Sequence, residues 1–138
     1  MPFFHPSRIV FYLRRLQIHS SALLRIDLAR SHLAGKEMAV GRYYLNNQFY
    51  SAALRRFRVV IETYDTTNQV PEALQRSAEA YLALGLTEEA SRMQQVAVYN
   101  YPDSIWTQRI KALIADPEKP ASKSLFFRSV NAITSIFD

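Results

Sequence analysis

Cysteine is absent from the chain, which excludes a disulfide scaffold, a thiolate metal site and a cysteine nucleophile. Its absence does not assign a compartment, because exported proteins also do without it. Glycine is nearly as scarce: Gly35, Gly41 and Gly85 stand far apart, so the chain has no Walker loop, no GxSxG and no GxGxxG. His5, His19 and His32 are the three histidines. They share no metal-ligand spacing, no carboxylate completes a set, and each reads as an ordinary surface or half-buried side chain. Glu88 with Glu89, and Glu72 with Glu79, are pairs that a helix surface presents by chance, with no apolar surroundings expected to raise a pKa. The chain therefore reads as a non-enzyme with no catalytic residue, cofactor or metal.

Apolar runs long enough to cross a membrane are missing as well. The IVFYL run at residues 9–13 is shorter than a secretory apolar region and far short of the roughly 20 residues that span a bilayer. With Arg8, Arg14 and Arg15 around it, the segment 1–22 reads as a basic amphipathic helix. Its apolar side is expected either to pack on the next helix or to rest on a membrane surface, so any membrane contact is peripheral.

What is present suits one globular domain: 138 residues, of which 49% are apolar. A formal charge of +5 and a pI near 9.7 suit an acidic partner, a phosphate backbone or an anionic surface, and select none of them.

The organising stretch is residues 38–65, MAVGRYYLNNQFYSAALRRFRVVIETYD. Gly41 and Tyr44 fall three apart. Tyr50, Ala53, Phe57 and Val60 follow at i, i+3, i+7 and i+10, a single stripe on a second helix. Small residues stand where two backbones must approach. The pattern returns once, with Ala78, Tyr81, Gly85, Ala90, Ala97 and Pro102 in the places of Gly41, Tyr44, Gln48, Ala53, Val60 and Asp65. The spacing is close to the roughly 34-residue period of tetratricopeptide repeats, pairs of antiparallel helices. The fold class is all-α, a tetratricopeptide-like solenoid of two units with flanking helices.

Along the chain, one long helix or two nearly abutting ones are expected from residue 23 until Asn46 and Asn47. A second helix spans residues 49–63, and Asp65, Thr66, Thr67 and Asn68 make the turn. Pro71 opens the next helix, which Gly85 closes. Thr87 is the expected N-cap of a fourth helix, with Glu88 and Glu89 in its first turn. Asp103 or Ser104 caps a fifth, residues 105–115, whose Trp106, Ile110 and Leu113 cover the last repeat. Residues 23–115 thus form the helical domain and 116–124, with two prolines, a linker. Residues 125–138 form a short amphipathic helix carrying Phe126, Val130, Ile133 and Phe137, which packs back or docks elsewhere. At the other end, Leu24 and Leu28 need a cover, and a helix around residues 9–18 folding over them is the nearest one.

The strings LARSHLAGKEMAVGRYYL, YSAALRRFRVVIETYDTT, VPEALQRSAEAYLALGLTEEA and YNYPDSIW resemble the BamD family of outer-membrane protein assembly factors, also called ComL or YfiO, over residues 23–106. The resemblance implies a lipoprotein-family scaffold of the β-barrel assembly (BAM) machinery at the periplasmic face of the outer membrane. Its implied partners are the periplasmic domains of the barrel subunit BamA and other lipoproteins of that machinery, with no nucleic acid. The family also carries a signal peptide, a lipidated cysteine and earlier units that have no counterpart here. The chain thus reads as a truncated form, with export an open question.

Candidate partner-binding residues follow. Ala53, Phe57 and Val60 face inward, which turns Arg55, Arg56 and Arg58 outward or to the edges. The resemblance implies that Arg56 borders the barrel-subunit contact, and Arg58 is also spaced to pair with Glu62 at i+4. Met38, Arg42, Gln75 and Glu79 lie off the stripe and are expected to line a concave groove. A rival function is a helical-repeat nucleic-acid or other adaptor module, prompted by the charge. Tyr44, Tyr50, Phe57 and Tyr81 at core positions leave few rings to stack on bases. A non-functional remnant of a split gene is the third reading.

Overall fold

The structure, a computed structural model, describes residues 6–116. Five helices and no strand occur among them: α1 (Pro6–Asn46), α2 (Tyr50–Thr63), α3 (Val70–Ala83), α4 (Thr87–Asn100) and α5 (Ile105–Ala115). The linker and carboxy-terminal helix read at 116–138 lie outside the described residues, apart from Asp116.

Two helix pairs, α1 with α2 and α3 with α4, stack side by side, and α5 closes the stack against α3 and α4. The 37-residue register of the sequence pattern is kept to the residue. The bounds of α2 and α4 differ by 37 at both ends, as do the ends of α1 and α3. The turn between paired helices repeats hydrogen bond for hydrogen bond. Phe49 N donates to Tyr44 O at 2.9 Å and Leu86 N to Tyr81 O at 2.8 Å, while Gln48 N donates to Leu45 O and Gly85 N to Leu82 O. Tyr44 and Tyr81 hold equivalent, half-buried places.

The core is the expected stripe. Ala53, Phe57 and Val60 of α2 pack with Ala34 and Met38 of α1; Ala73, Leu74 and Ala78 of α3 join Ala90, Ala97 and Ile110. Phe57 fills the space that the missing side chain of Gly41 leaves. Because α3 touches all four other helices, it is buried on more sides than the rest, Val70 and Pro71 included.

Local signals behave mostly as read. Asn47 Nδ2 bonds back to Tyr43 O as α1 ends, Gly85 takes φ +77 just past α3, and Ser104 caps α5 by accepting from Trp106 N at 3.3 Å. Thr87 differs: it is the first helical residue, the cap position belongs to Leu86, and no side chain bonds there. The turn repeats the Phe49 conformation at Leu86, and this shared geometry outweighs the capping preference of threonine.

The amino-terminal expectation is corrected. Residues 9–18 do not fold over Leu24 and Leu28, because α1 is one continuous helix. Leu24 is 64% and Leu28 55% exposed. No glycine or proline lies between residues 7 and 34 to break it. No helix among the described residues is long and apolar enough to cross a membrane.

Candidate partner-binding surface

Three arginines come from α2, and the fold gives each a different setting. Arg56 Nη1 reaches Glu37 Oε2 of α1 at 3.1 Å, bracing the first helix pair. Arg58 Nε stands 4.0 Å from Glu62 Oε1, with both side chains mostly in water, so the pair contributes at most a few tenths of a kcal/mol. Arg55 has no carboxylate partner among the described residues. It sits instead on the wall of a hollow of about 450 Å³, lined by Gln48, Phe49, Tyr50, Ser51, Ala52 and Leu84. Phe49 and Leu84 are exposed there, so a free cation stands beside uncovered apolar surface.

The residues expected in a concave groove divide. Met38 does not line it: its side chain is fully buried, because positions 34, 38, 41 and 45 form the α1 face that packs on α2. Gln75 is buried too, a consequence of the central place of α3, and its Oε1 has no hydrogen-bond partner. Arg42 and Glu79 are part-exposed and belong to one charged ladder. Arg42 Nη1 of α1 donates to Glu72 Oε1 of α3 at 3.0 Å. Arg76 then bridges Glu72 at 3.5 Å and Glu79 at 3.3 Å. Burial pushes the Glu79 carboxyl above its ordinary range, and the hydrogen-bonded Arg76 only partly offsets this. The expectation that no carboxylate here would be shifted is thereby corrected: the apolar neighbours come from other helices, not from the local sequence.

Sequence reasoning missed the members that complete this surface. Trp106 of α5 lies under two guanidinium groups, Arg109 at 4.7 Å and Arg76 at 5.8 Å, within the range of cation–π attraction. The i, i+4, i+7 spacing of Glu72, Arg76 and Glu79 was a visible signal of one helix face. That α5 would bring Trp106 to it was not.

Among the described residues no group of three or more His, Asp or Glu side chains is placed to hold a metal ion. The surfaces consist of charged and apolar side chains.

Residues 17–96 match the profile of the YfiO family, described as outer membrane lipoprotein. The chain is 52% identical over 87 residues to the outer membrane protein assembly factor BamD of Caulobacter vibrioides, covering 63% of this chain and 28% of that protein. It is 51% identical over 83 residues to BamD of Rickettsia prowazekii, covering 60% of this chain and 33% of that one. BamD of Vibrio cholerae is 30% identical over 76 residues, 55% of this chain and 32% of that protein. The chain thus spans about a third or less of the length of these relatives.

Proposed function

Since this chain belongs to the YfiO family of outer membrane lipoproteins, we propose that it is a protein-binding scaffold of the machinery that assembles outer-membrane proteins, working at the periplasmic face of that membrane. The relatives' shared name, outer membrane protein assembly factor, supports the reading. So does the absence, in the sequence, of any motif for chemistry.

The observation that carries the proposal to a site is the α2 edge. Arg55 has no ion-pair partner among the described residues and borders an apolar hollow between Phe49 and Leu84. A surface of this kind takes a partner that offers a carboxylate beside an aliphatic or aromatic side chain, since both the charge and the apolar contact gain when water is excluded. We assign it to a periplasmic domain of the barrel subunit BamA. The Arg42, Glu72, Arg76, Glu79 ladder with Trp106 is a second docking face, for another lipoprotein of the machinery. The nucleic-acid reading is weaker, because Phe57 is buried and Tyr44, Tyr50 and Tyr81 are half-buried in the core.

Calorimetric titration of the chain with the BamA periplasmic domains tests this. Saturable binding is expected, weakened about tenfold or more by Arg55→Glu and little changed by Arg58→Glu. No binding by the unaltered chain overturns the reading.

A further inference from the structure

The hollow beside Arg55 lies at one end of the helix stack, where the turn from α1 to α2 meets the turn from α3 to α4: residues 48–52 line it from one side and Leu84 from the other. The ground around it is apolar and uncovered. Phe49, Leu84 and Leu86 are 60, 43 and 47% exposed, and Arg55 on the wall has no carboxylate within ion-pair distance among the described residues.

The chain returns to this same end. Thr107, at the start of α5, donates to Tyr101 O where α4 stops, so α5 begins at the opposite end of the stack. It then runs alongside α3, with Trp106 beside Arg76 of the first half of α3, and finishes at Ala115 on the end that holds the hollow. Because α5 packs on α3 and α3 on α2, Asp116 stands within about two helix spacings of the hollow, roughly 20 Å.

The sequence that follows Asp116 has the chemistry the hollow lacks. Phe126, Val130, Ile133 and Phe137 fall at i, i+4, i+7 and i+11, one stripe at helical spacing. Arg128 falls about 200° round from Phe126, away from that stripe. Asp138 is the only carboxylate after Glu118. It directly follows Phe137, about 100° round from it, so it borders the apolar stripe as Arg55 borders the apolar hollow. Residues 117–124 span up to about 26 Å, and residues 125–138 add about 21 Å as a helix, which brings the stripe within reach. A tether this short holds its segment at an effective concentration on the order of millimolar, so one chain's own tail outcompetes that of a second copy at micromolar concentration.

We propose that residues 125–138 fold back as a helix onto this hollow, with Phe137 seated between Phe49 and Leu84 and Asp138 paired with Arg55, and that the tail occupies the α2 edge until a partner displaces it. The displacement rests on the partner reading of that edge; the docking does not.

The absence of native cysteine allows a single nitroxide label on Ser135→Cys, on the far side of the tail helix from its stripe. In the full, isotope-labelled chain the nitroxide is expected to broaden away the amide signals of residues 48–52 and of Leu84, while those of residues 10–20, roughly 40 Å off along α1, stay sharp. Asp138→Arg keeps the tether but sets like charges together, and restores the lost signals. Arg55→Asp combined with Asp138→Arg removes them again. Broadening indifferent to Asp138→Arg, or signals that stay sharp throughout, overturns the docking. Broadening that appears when nitroxide and isotope are carried by separate, mixed chains overturns it in favour of a second copy. No partner is present in this test, so failure of the BamA titration leaves its outcome untouched. Where both readings hold, the Asp138→Arg chain binds the BamA periplasmic domains about threefold or more tighter than the unaltered chain, because its edge is already free. Equal affinity overturns the displacement.

Discussion

Gly41 of α1 and Phe57 of α2 interlock: the ring lies so close to the Gly41 backbone that a methyl group added there would overlap it. Helix propensity alone favours alanine at an interior helical glycine by about 1 kcal/mol. The overlap reverses the sign, because Phe57 is fully buried and moving it disturbs the whole stripe. Gly41→Ala is expected to destabilise the fold by about 1 to 3 kcal/mol in urea unfolding. Phe57→Leu in the same chain should recover part of that loss, a coupling that two independent sites would not give.

The two turns between paired helices offer a matched comparison. Gln48 has φ +64 and Gly85, 37 residues later, φ +77. The left-handed region costs a side chain roughly 1 kcal/mol that glycine avoids. Gln48→Gly should therefore raise thermal stability by up to about 1 kcal/mol, and Gly85→Gln should lower it by a similar amount. Opposite shifts in melting temperature are the expected result.

That symmetry also marks how much could be read from the residues alone. The pairing of Gly41 with Ala78 and of Gln48 with Gly85 was legible because each repeat unit solves one local problem, a close helix crossing and a left-handed exit, with short-range means. The buried stripe of α2 was legible for the same reason. The place of Met38 and Gln75 was not, since it depends on which neighbours a helix has: α3 touches all four other helices, and no periodicity within residues 70–83 states that number. The Glu79 environment and the stacking of Arg76 and Arg109 on Trp106 were hidden likewise, because they are made by α5 arriving from elsewhere in the chain. The amino-terminal fold-back failed for a different reason. An apolar face needs a cover, but the need does not bend a helix that has no breaker.

Thr107 fastens α5 to the preceding pair. Its side chain is fully buried, and its Oγ1 donates to Tyr101 O at 2.6 Å, with Ala97 O 3.4 Å away. Thr107→Val preserves shape and removes this donor, while Tyr101 O keeps its bond from Ser104 N. A loss of about 0.5 to 1.5 kcal/mol is expected, with Thr107→Ser clearly milder. Fluorescence of Trp106, on the same helix, reports the undocking of α5. If Thr107→Val unfolds at the same urea concentration as the unaltered chain, the bond is not a significant part of the docking.

Glu79 gives the fold a pH dependence of predictable sign. Its carboxyl titrates above the ordinary 4.5 because burial disfavours the charged form, and the Arg76 contacts offset this only in part. A group whose folded pKa is raised contributes stability that is fully present below the unfolded value and is lost as pH rises through the folded value. The window therefore opens near 4.5 and extends upward. Glu79→Gln keeps an acceptor for Arg76 and removes the charge, so it is expected to stabilise the fold by about 0.5 kcal/mol at neutral pH. Below about pH 4, where the native carboxyl is already neutral in both states, the difference should vanish. Urea unfolding of both proteins across that range checks this, since taking their difference cancels the other carboxylates. A variant less stable than the native chain at neutral pH would mean that the Arg76 ion pair outweighs burial.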